Sequence, residues 1–116
     1  MPSLNIDMEI PLNLLSFKLI EEIEKLSPFG PENPRPVFCS RKLGIKSHPR
    51  SIGENGTKFW VTDGKITCEA VGFKFNHQLS GNLREAVLDL AYSPSVNNWQ
   101  NNKTIQLRLE DVKINF

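Results

Sequence analysis

The chain has 116 residues, 39% of them hydrophobic, a formal net charge of +1 and a mean hydropathy of −0.33. These values are typical of one globular domain and exclude a chain with two full cores. No apolar run approaches the roughly 20 residues of a membrane-spanning helix, and the N-terminus lacks the regions of a secretory signal, so we expect a cytoplasmic protein with no membrane contact. Cys39 and Cys68 form no metal-binding or disulfide pattern and are expected to be free thiols that are buried or half-buried.

The positive charge is concentrated in one part of the chain. Residues 1–32 carry two basic and six acidic side chains, a net charge of −4, whereas residues 33–116 carry twelve basic and seven acidic ones, a net charge of +5. Five cations occur within sixteen residues that contain no carboxylate: Arg35, Arg41, Lys42, Lys46 and Arg50. This pattern is typical of an edge that binds a polyanion, although a solvated strand face with counter-charges from elsewhere in the fold would share it.

One amphipathic helix is predicted in the acidic part. Apolar residues recur at steps of three and four from Leu12 to Leu26, with charged residues on the other side. Asn13, two residues after Pro11, is a good N-cap type, and Gly30 would end the helix. We expect the apolar stripe to pack against the β domain or against a partner.

A rigid joint follows the helix. Residues 28–36 contain four prolines, which can neither continue a helix nor donate to a strand ladder. The sequence therefore predicts a connector over residues 1–32, made of the helix and a proline-rich hinge, and a β domain over residues 33–116.

Five β segments are predicted from Val37 onward. They are a long strand over 37–53 that is interrupted near Gly44 and at His48–Pro49, and further strands over 57–62, 65–73, 83–92 and 103–114. Asp63–Gly64 predicts a tight hairpin, residues 74–81 a polar connector, and residues 93–102 a loop between the fourth and fifth strands. The pattern predicts an all-β fold, a five-stranded OB-fold Greek-key barrel preceded by one helix; SH3-like barrels and other five-stranded sheets would give the same pattern.

Trp60 is a candidate for stacking on nucleic-acid bases. Alternation along the second strand places Phe59 and Val61 on one face, and Lys58 and Trp60 on the other. An outward aromatic beside a cation is typical of a surface that binds single strands. The reverse register would make Trp60 a core residue.

A second candidate is Trp99, near the tip of the predicted loop and followed by Lys103. Contact with a ligand is easy there, and packing back onto the barrel end is the alternative. Phe73 and Phe75, on either side of Lys74, are expected to pack in the core and at the barrel end.

Catalytic motifs are absent from the sequence. His48 and His77 are isolated, no paired acidic cluster occurs, and Gly64–Lys65 lacks the earlier glycine of a phosphate-binding loop. We therefore expect this chain not to be an enzyme by itself and to hold no metal ion.

The hinge LSPFGPENPRPVF, residues 26–38, resembles the signature L-x-PFG-x-x-NP-x-P-x-F. With that signature, the RecJ single-stranded-DNA-specific exonucleases pass from a connector helix into their OB domain. GFKF after the third strand, LDLAY and NNWQNNKTIQLRLEDV are similar to later parts of the same domain. Thr57 stands where members of the family often carry a histidine.

This resemblance implies a fragment of an enzyme that degrades single-stranded DNA from its 5′ end in DNA repair and recombination. The DHH and DHHA1 domains of such enzymes, absent from this chain, would hold two Mn or Mg ions, and the OB domain would grip the strand. The groove would be lined by Arg35, Arg41, Lys42, Lys46, Arg50, Lys58, Trp60, Lys74, Trp99 and Lys103. The hinge would set the angle of the barrel so that groove and active site align.

Two other functions fit the same residues. The barrel can be a protein-interaction module that docks the missing domains or the acidic tail of a single-stranded-DNA-binding protein. An independent sugar-binding OB protein is the third possibility. It is disfavoured because mostly lysines and arginines, rather than acids and amides, surround the aromatic residues.

Overall fold

The computed structural model of the chain describes residues 6–75, 79, 81, 83 and 85–115. In that part the chain forms one α-helix, α1 (Phe17–Glu24), a 3₁₀ turn (Leu12–Leu14) and seven strands. The strands are β1 (Met8–Glu9), β2 (Phe38–Ile45), β3 (Arg50–Ile52), β4 (Gly56–Thr62), β5 (Thr67–Phe73), β6 (Val87–Trp99) and β7 (Asn102–Asn115).

Five of these strands close into a barrel. β2 pairs with β6 and, through Gly44 and Ile45, with β4; β4 also pairs with β5, and β6 with β7. These pairs are antiparallel, whereas β5 and β7 run parallel and complete the circle. The short strands β1 and β3 are additions on β2 and β4. The prediction of an all-β OB-fold with one helix is therefore confirmed.

Alternate residues of the barrel strands fill its interior. Phe59, Val61, Leu88, Leu90 and Leu107 are almost completely buried, as the alternation predicted. The core contains a polar network in which the Tyr92 and Ser40 hydroxyl oxygens are 2.7 Å apart and Ser40 donates to the Ile10 carbonyl at 2.8 Å. Burial raises the pKa of Tyr92 to about 12 and that of Cys68 to about 11.

The N-terminal helix is shorter than predicted. Leu15 is extended, and Ser16 caps α1 by accepting a hydrogen bond from the Leu19 backbone N–H at 3.0 Å. A start near Asn13 was therefore wrong. Leu12 and Leu15 leave the helical stripe because they enter the barrel core, while α1 itself buries Ile20 and Ile23.

The proline-rich hinge is tied back to the helix. Asn33 Nδ2 donates to the carbonyls of Leu26 and Pro28 at 2.8 and 2.9 Å. The Arg35 guanidinium pairs with Glu24 at 2.8 Å and lies 4.5 Å from the centroid of the Phe29 ring. These contacts hold one path between α1 and β2. The effect of the hinge on the alignment of other domains stays a prediction.

The predicted first strand is divided in two. Its interruption at His48–Pro49 is confirmed, because Lys46–Pro49 separates β2 from β3. The irregularity inside β2 lies at Arg41–Lys42 rather than at Gly44. Lys42 has a φ of +59° there, and its N–H donates to Asp89 Oδ1 at 3.0 Å.

Asp63 organises the β4–β5 hairpin. Its side chain accepts the backbone N–H groups of Lys65 and Ile66 at 2.8 and 3.0 Å, which closes a four-residue connection instead of the predicted tight turn at Asp63–Gly64. The bond from Ile66 is the main reason why the pKa of Asp63 is lowered.

The predicted loop over 93–102 was wrong. β6 continues to Trp99, and β7 begins at Asn102. Gln100 and Asn101 form a two-residue turn with φ values of +49° and +67°, as in the primed turns of β-hairpins. The result is a paired ribbon with an exposed end. The predicted connector over 74–81 falls largely outside the described residues.

Candidate nucleic-acid interface

The outward side of β3, β4, β5 and β7 carries the candidate site, and we call it the outer face. Its residues are Arg50, Lys58, Trp60, Glu69, Val71, Phe73, Gln106 and Arg108, together with Lys46, which follows β2 and donates its backbone N–H to the Trp60 carbonyl. The strand pairing shows which residues belong to the outer face, because directly paired residues of neighbouring strands lie on the same side of a sheet. One row of partners runs Arg50, Lys58, Val71 and Arg108, and the next runs Trp60, Glu69 and Gln106.

Trp60 faces outward, as predicted. Phe59 and Val61 on either side are buried, whereas Trp60 is half-buried. The backbone N–H of Trp60 donates to Ser47 Oγ at 3.1 Å, and the Trp60 carbonyl accepts the backbone N–H of Lys46 at 2.8 Å. The segment after β2 therefore runs beside this tryptophan.

Cations without acidic partners flank Trp60. Lys46 and Arg50 are exposed, and neither has a carboxylate within ion-pair distance in the described part of the chain. Thr57, in contrast, is buried on the interior side of β4. Of the ten residues predicted to line a groove, the structure brings Lys46, Arg50 and Lys58 to the same side as Trp60. Their role in binding stays a prediction.

A buried carboxylate lies at the centre of the outer face. Glu69 is only 6% exposed, and it pairs with Lys58 Nζ at 3.2 Å and accepts from Gln106 Nε2 at 2.7 Å. The ion pair compensates the charge of Lys58 locally. The net positive field of the face therefore comes mainly from Lys46, Arg50 and Arg108.

Phe73 lies on the outer face, and its predicted place in the core was wrong. It is 63% exposed, while Phe75 is the phenylalanine that packs against the core. Alternation along β5 explains this, because Cys68 and Ala70 fill the interior and the residue three positions after Ala70 must point outward. The same parity was the signal that would have found Phe73, and in β7 it places Gln106 and Arg108.

A groove of about 610 Å³ runs between β5 and β7 beside Phe73. Its lining includes Arg35, Val71, Phe73, Gln106, Arg108 and Glu110. Lys74 follows at the end of β5, exposed, with its N–H bonded to the Asn55 carbonyl at 2.8 Å. Two of the predicted cations, Arg35 and Lys74, therefore lie at or next to this groove.

Trp99 and Lys103 occupy opposite sides of the ribbon. Trp99 is 70% exposed and does not pack back onto the barrel. Its cross-strand partner is Asn102, and Lys103 is paired with Asn98. Alternation therefore puts Trp99 on the side of Gln106, and Lys103 on the side that faces α1, where it lines a groove of about 650 Å³.

The remaining predicted cations, Arg41 and Lys42, lie on another part of the barrel, which we call the β2–β6 face. Arg41 pairs with Glu9 of β1 and with Asp89 of β6, the latter at 3.4 Å. Lys42 is exposed beside it, with its backbone held by Asp89. These two residues are not brought together with Trp60.

Other kinds of site were sought in the described residues. No group of three or more His, Cys, Asp or Glu side chains there is arranged to hold a metal ion. Cys39 and Cys68 are buried free thiols. Within the same part of the chain, no helix has the length and apolar character needed to cross a membrane.

The geometry defines an OB-fold domain with a cationic, aromatic outer face. Residues 6–111 match the family model of the RecJ OB domain, and the chain therefore belongs to that family. It is 26% identical over 115 residues to the single-stranded-DNA-specific exonuclease RecJ of Bacillus subtilis (strain 168). The match covers 97% of this chain and 14% of that relative, so the chain spans about one-seventh of its length.

Solved structures show the same fold. RecJ of Thermus thermophilus matches with a TM-score of 0.61 in its complex with Mn²⁺ and 0.59 in its complex with Mg²⁺, each at 20% identity over 83% of this chain and 13 to 14% of that chain. A Leishmania major Friedlin chain described as an aspartyl-tRNA synthetase matches with a TM-score of 0.65 at 14% identity, over 91% of this chain and 20% of its own. At these identities, the structural matches support the barrel fold and do not assign a function.

Proposed function

We propose that this chain is the single-stranded-DNA-binding OB domain of a RecJ-like exonuclease. The parent enzyme would be cytoplasmic and would digest single strands from 5′ to 3′ in DNA repair and recombination. In it, this domain grips the strand and guides it to DHH and DHHA1 domains that hold Mn or Mg ions. Membership of the RecJ OB family supports the parent enzyme.

The observation that carries the proposal is Trp60, which faces outward between Lys46 and Lys58, with Arg50 beyond Lys58. A base stacked on an aromatic contributes about 1 to 3 kcal/mol whatever its identity, and nearby cations bind the phosphates. Bases in a duplex are already stacked and paired. The face should therefore select single strands without reading their sequence.

The other predicted residues divide by location. Arg35, Lys74 and Trp99 lie at the groove or on the same side as Trp60, and we keep them as strand contacts. Arg41 and Lys42 lie on the β2–β6 face and Lys103 faces α1. We leave these three out of the proposed interface.

A binding titration tests the proposal. The anisotropy of a fluorescein-labelled strand of about 16 nucleotides and of the matching duplex would be measured against the 116-residue chain at low and high salt. We expect binding of the single strand only, weakened by salt, and about ten-fold weaker in Trp60→Leu. Binding of the duplex with equal affinity, or an unchanged affinity in Trp60→Leu, would contradict the proposal.

A protein-docking function is the second candidate. It is favoured by the groove between α1 and the β6–β7 ribbon, which the exposed Phe17 lines. Leu14 and Leu26, which precede and follow α1 in the chain, are exposed apolar side chains as well. The partner would be the exonuclease domains or a single-stranded-DNA-binding protein. Calorimetric titration of the chain with each of these proteins, and with Phe17→Ser as the variant, would distinguish this function from strand binding.

A further inference from the structure

We propose that Phe73 is a second base-stacking platform and that the groove between β5 and β7 holds the adjoining phosphates of the same strand. This inference rests on the proposed function and extends it to a separate subsite. The observation that supports it is the exposure of Phe73, a large aromatic side chain that does not pack in the core. Phe73 is 63% exposed at the end of β5, although Phe75 two residues later is packed against the core.

The ring of Phe73 lies over a glycine. Its cross-strand partner is Gly56, where an added Cβ would stand 3.2 Å from Phe73 Cε1 and 2.4 Å from the Ile52 carbonyl oxygen. Gly56 therefore leaves room for one edge of the ring. The rest of the phenyl group is open to solvent, so a base can approach it.

Phe73 and Trp60 lie on the same side of the sheet. Trp60 is paired with Glu69, four residues before Phe73, which corresponds to roughly 14 Å along the strand. The row formed by Lys58, Val71 and Arg108 crosses the sheet between the two aromatic residues. A single strand that reaches from one platform to the other must therefore pass these cations.

Arg108 is the phosphate-binding side chain that the groove offers most directly. It is exposed and has no carboxylate partner in the described residues, whereas Arg35 on the same groove is already paired with Glu24. Glu110 also lines the groove and opposes a phosphate. The subsite is therefore weaker than a purely basic one, and it should add affinity only for strands long enough to reach it.

A length series tests the subsite. Affinities of single strands from about 4 to 16 nucleotides would be measured for the wild type, Phe73→Leu, Phe73→Tyr and the control Phe17→Leu, which removes an exposed phenyl group from α1. We expect Phe73→Leu to bind long strands about ten-fold more weakly and the shortest strands unchanged. Phe73→Tyr and Phe17→Leu should both bind like the wild type.

Arg108→Gln and a cross-linking experiment give independent readouts. Arg108→Gln should reduce the slope of log affinity against log salt by about 0.7 for a long strand. Ultraviolet cross-linking of a strand that contains 5-iododeoxyuridine should give an adduct on the peptide with Phe73. No single-strand binding by the wild type would overturn the proposed function and this subsite together. Wild-type binding that depends on Trp60 but is equal in Phe73→Leu at every length would overturn the subsite alone.

Discussion

The outer face and the β2–β6 face are both rich in cations, but they differ in what those cations contact. On the β2–β6 face, Arg41 is held by Glu9 and Asp89. On the outer face, Lys46 and Arg50 have no acidic partner in the described residues, and Trp60 lies beside them. A paired cation must give up a bond to bind a phosphate, whereas an unpaired one gains affinity by releasing counterions.

A run of basic residues in the sequence therefore does not form one surface in this fold. The run from Arg35 to Arg50 passes through the hinge, the bulge at Arg41–Lys42 and the end of β2. Each of these features turns the chain, so successive cations meet different neighbours. Charge counts alone would assign both faces the same affinity for DNA.

Among the predicted changes, alkaline pH should lower the free energy of unfolding the most. It affects both faces because they share one core. The folded-state pKa values of Tyr92 and Cys68 are raised to about 12 and about 11, so the folded state keeps protons that the unfolded chain releases. The stability that these two groups contribute is fully present below about pH 8 and is lost as the pH rises to about 12. The loss should be on the order of 2 to 3 kcal/mol for each group.

Urea unfolding at pH 8 and pH 11 would measure this loss. Tyr92→Phe removes one of the two ionising groups and should show a smaller decline between these pH values, although it is less stable at pH 8 because it loses the bond to Ser40. An equal decline in both proteins would exclude Tyr92 as a source. The two faces should be compared only below pH 8.

A charge-matched pair of double variants tests the difference between the faces directly. Lys46→Gln with Arg50→Gln removes two positive charges beside Trp60, and Arg41→Gln with Lys42→Gln removes two positive charges from the β2–β6 face. The first pair should weaken single-strand binding about ten-fold at 0.1 M salt and reduce the salt slope by about 1.4. The second pair should leave the slope unchanged. Equal losses in both would mean that net charge, rather than the unpaired cluster, controls binding.

The strand alternation made most of the fold and Trp60 predictable. Phe59 and Val61, on either side of Trp60, are hydrophobic and pack in the core. Because side chains alternate along a strand, Trp60 must face outward. The ribbon end was not predictable in the same way. Asn97, Asn98 and Asn102 give it no hydrophobic face, and its turn at Gln100–Asn101 lacks the usual glycine, so the sequence resembles a loop.

Ion pairs between strands also escaped prediction. The pair of Lys58 with Glu69 depends on the register of β4 against β5, which the four-residue hairpin at Asp63 sets. The pair of Arg41 with Asp89 depends on the bulge in β2. A single sequence shows that these charges exist but not which of them compensate one another.

Asp89→Ala should lower the stability of the chain without changing its affinity for single strands, because Asp89 lies on the β2–β6 face. Asp89 accepts the backbone N–H of Lys42 at 3.0 Å and supports its left-handed conformation, and it also contacts Arg41. We expect the variant to lose about 1 kcal/mol of unfolding free energy and to bind single strands with unchanged affinity at a temperature where it is folded. Urea unfolding and the anisotropy titration would be measured on the same sample, and a change in affinity would show that the β2–β6 face does contact the strand.

Glu69→Gln should have the smallest effect and the opposite sign. Glu69 holds Lys58 at 3.2 Å, so a neutral side chain of the same shape releases Lys58 to bind a phosphate and keeps a partner for Gln106. We expect single-strand binding to tighten about three-fold, with a salt slope larger by about 0.7. Glu110→Gln is the matched control, because it removes the same charge from the adjoining groove between β5 and β7 without breaking an ion pair of the described residues. If both variants gain affinity while the slope stays constant, the field of the whole face decides binding; if only Glu69→Gln steepens the slope, the outer face binds DNA through individual cations that are free of acidic partners.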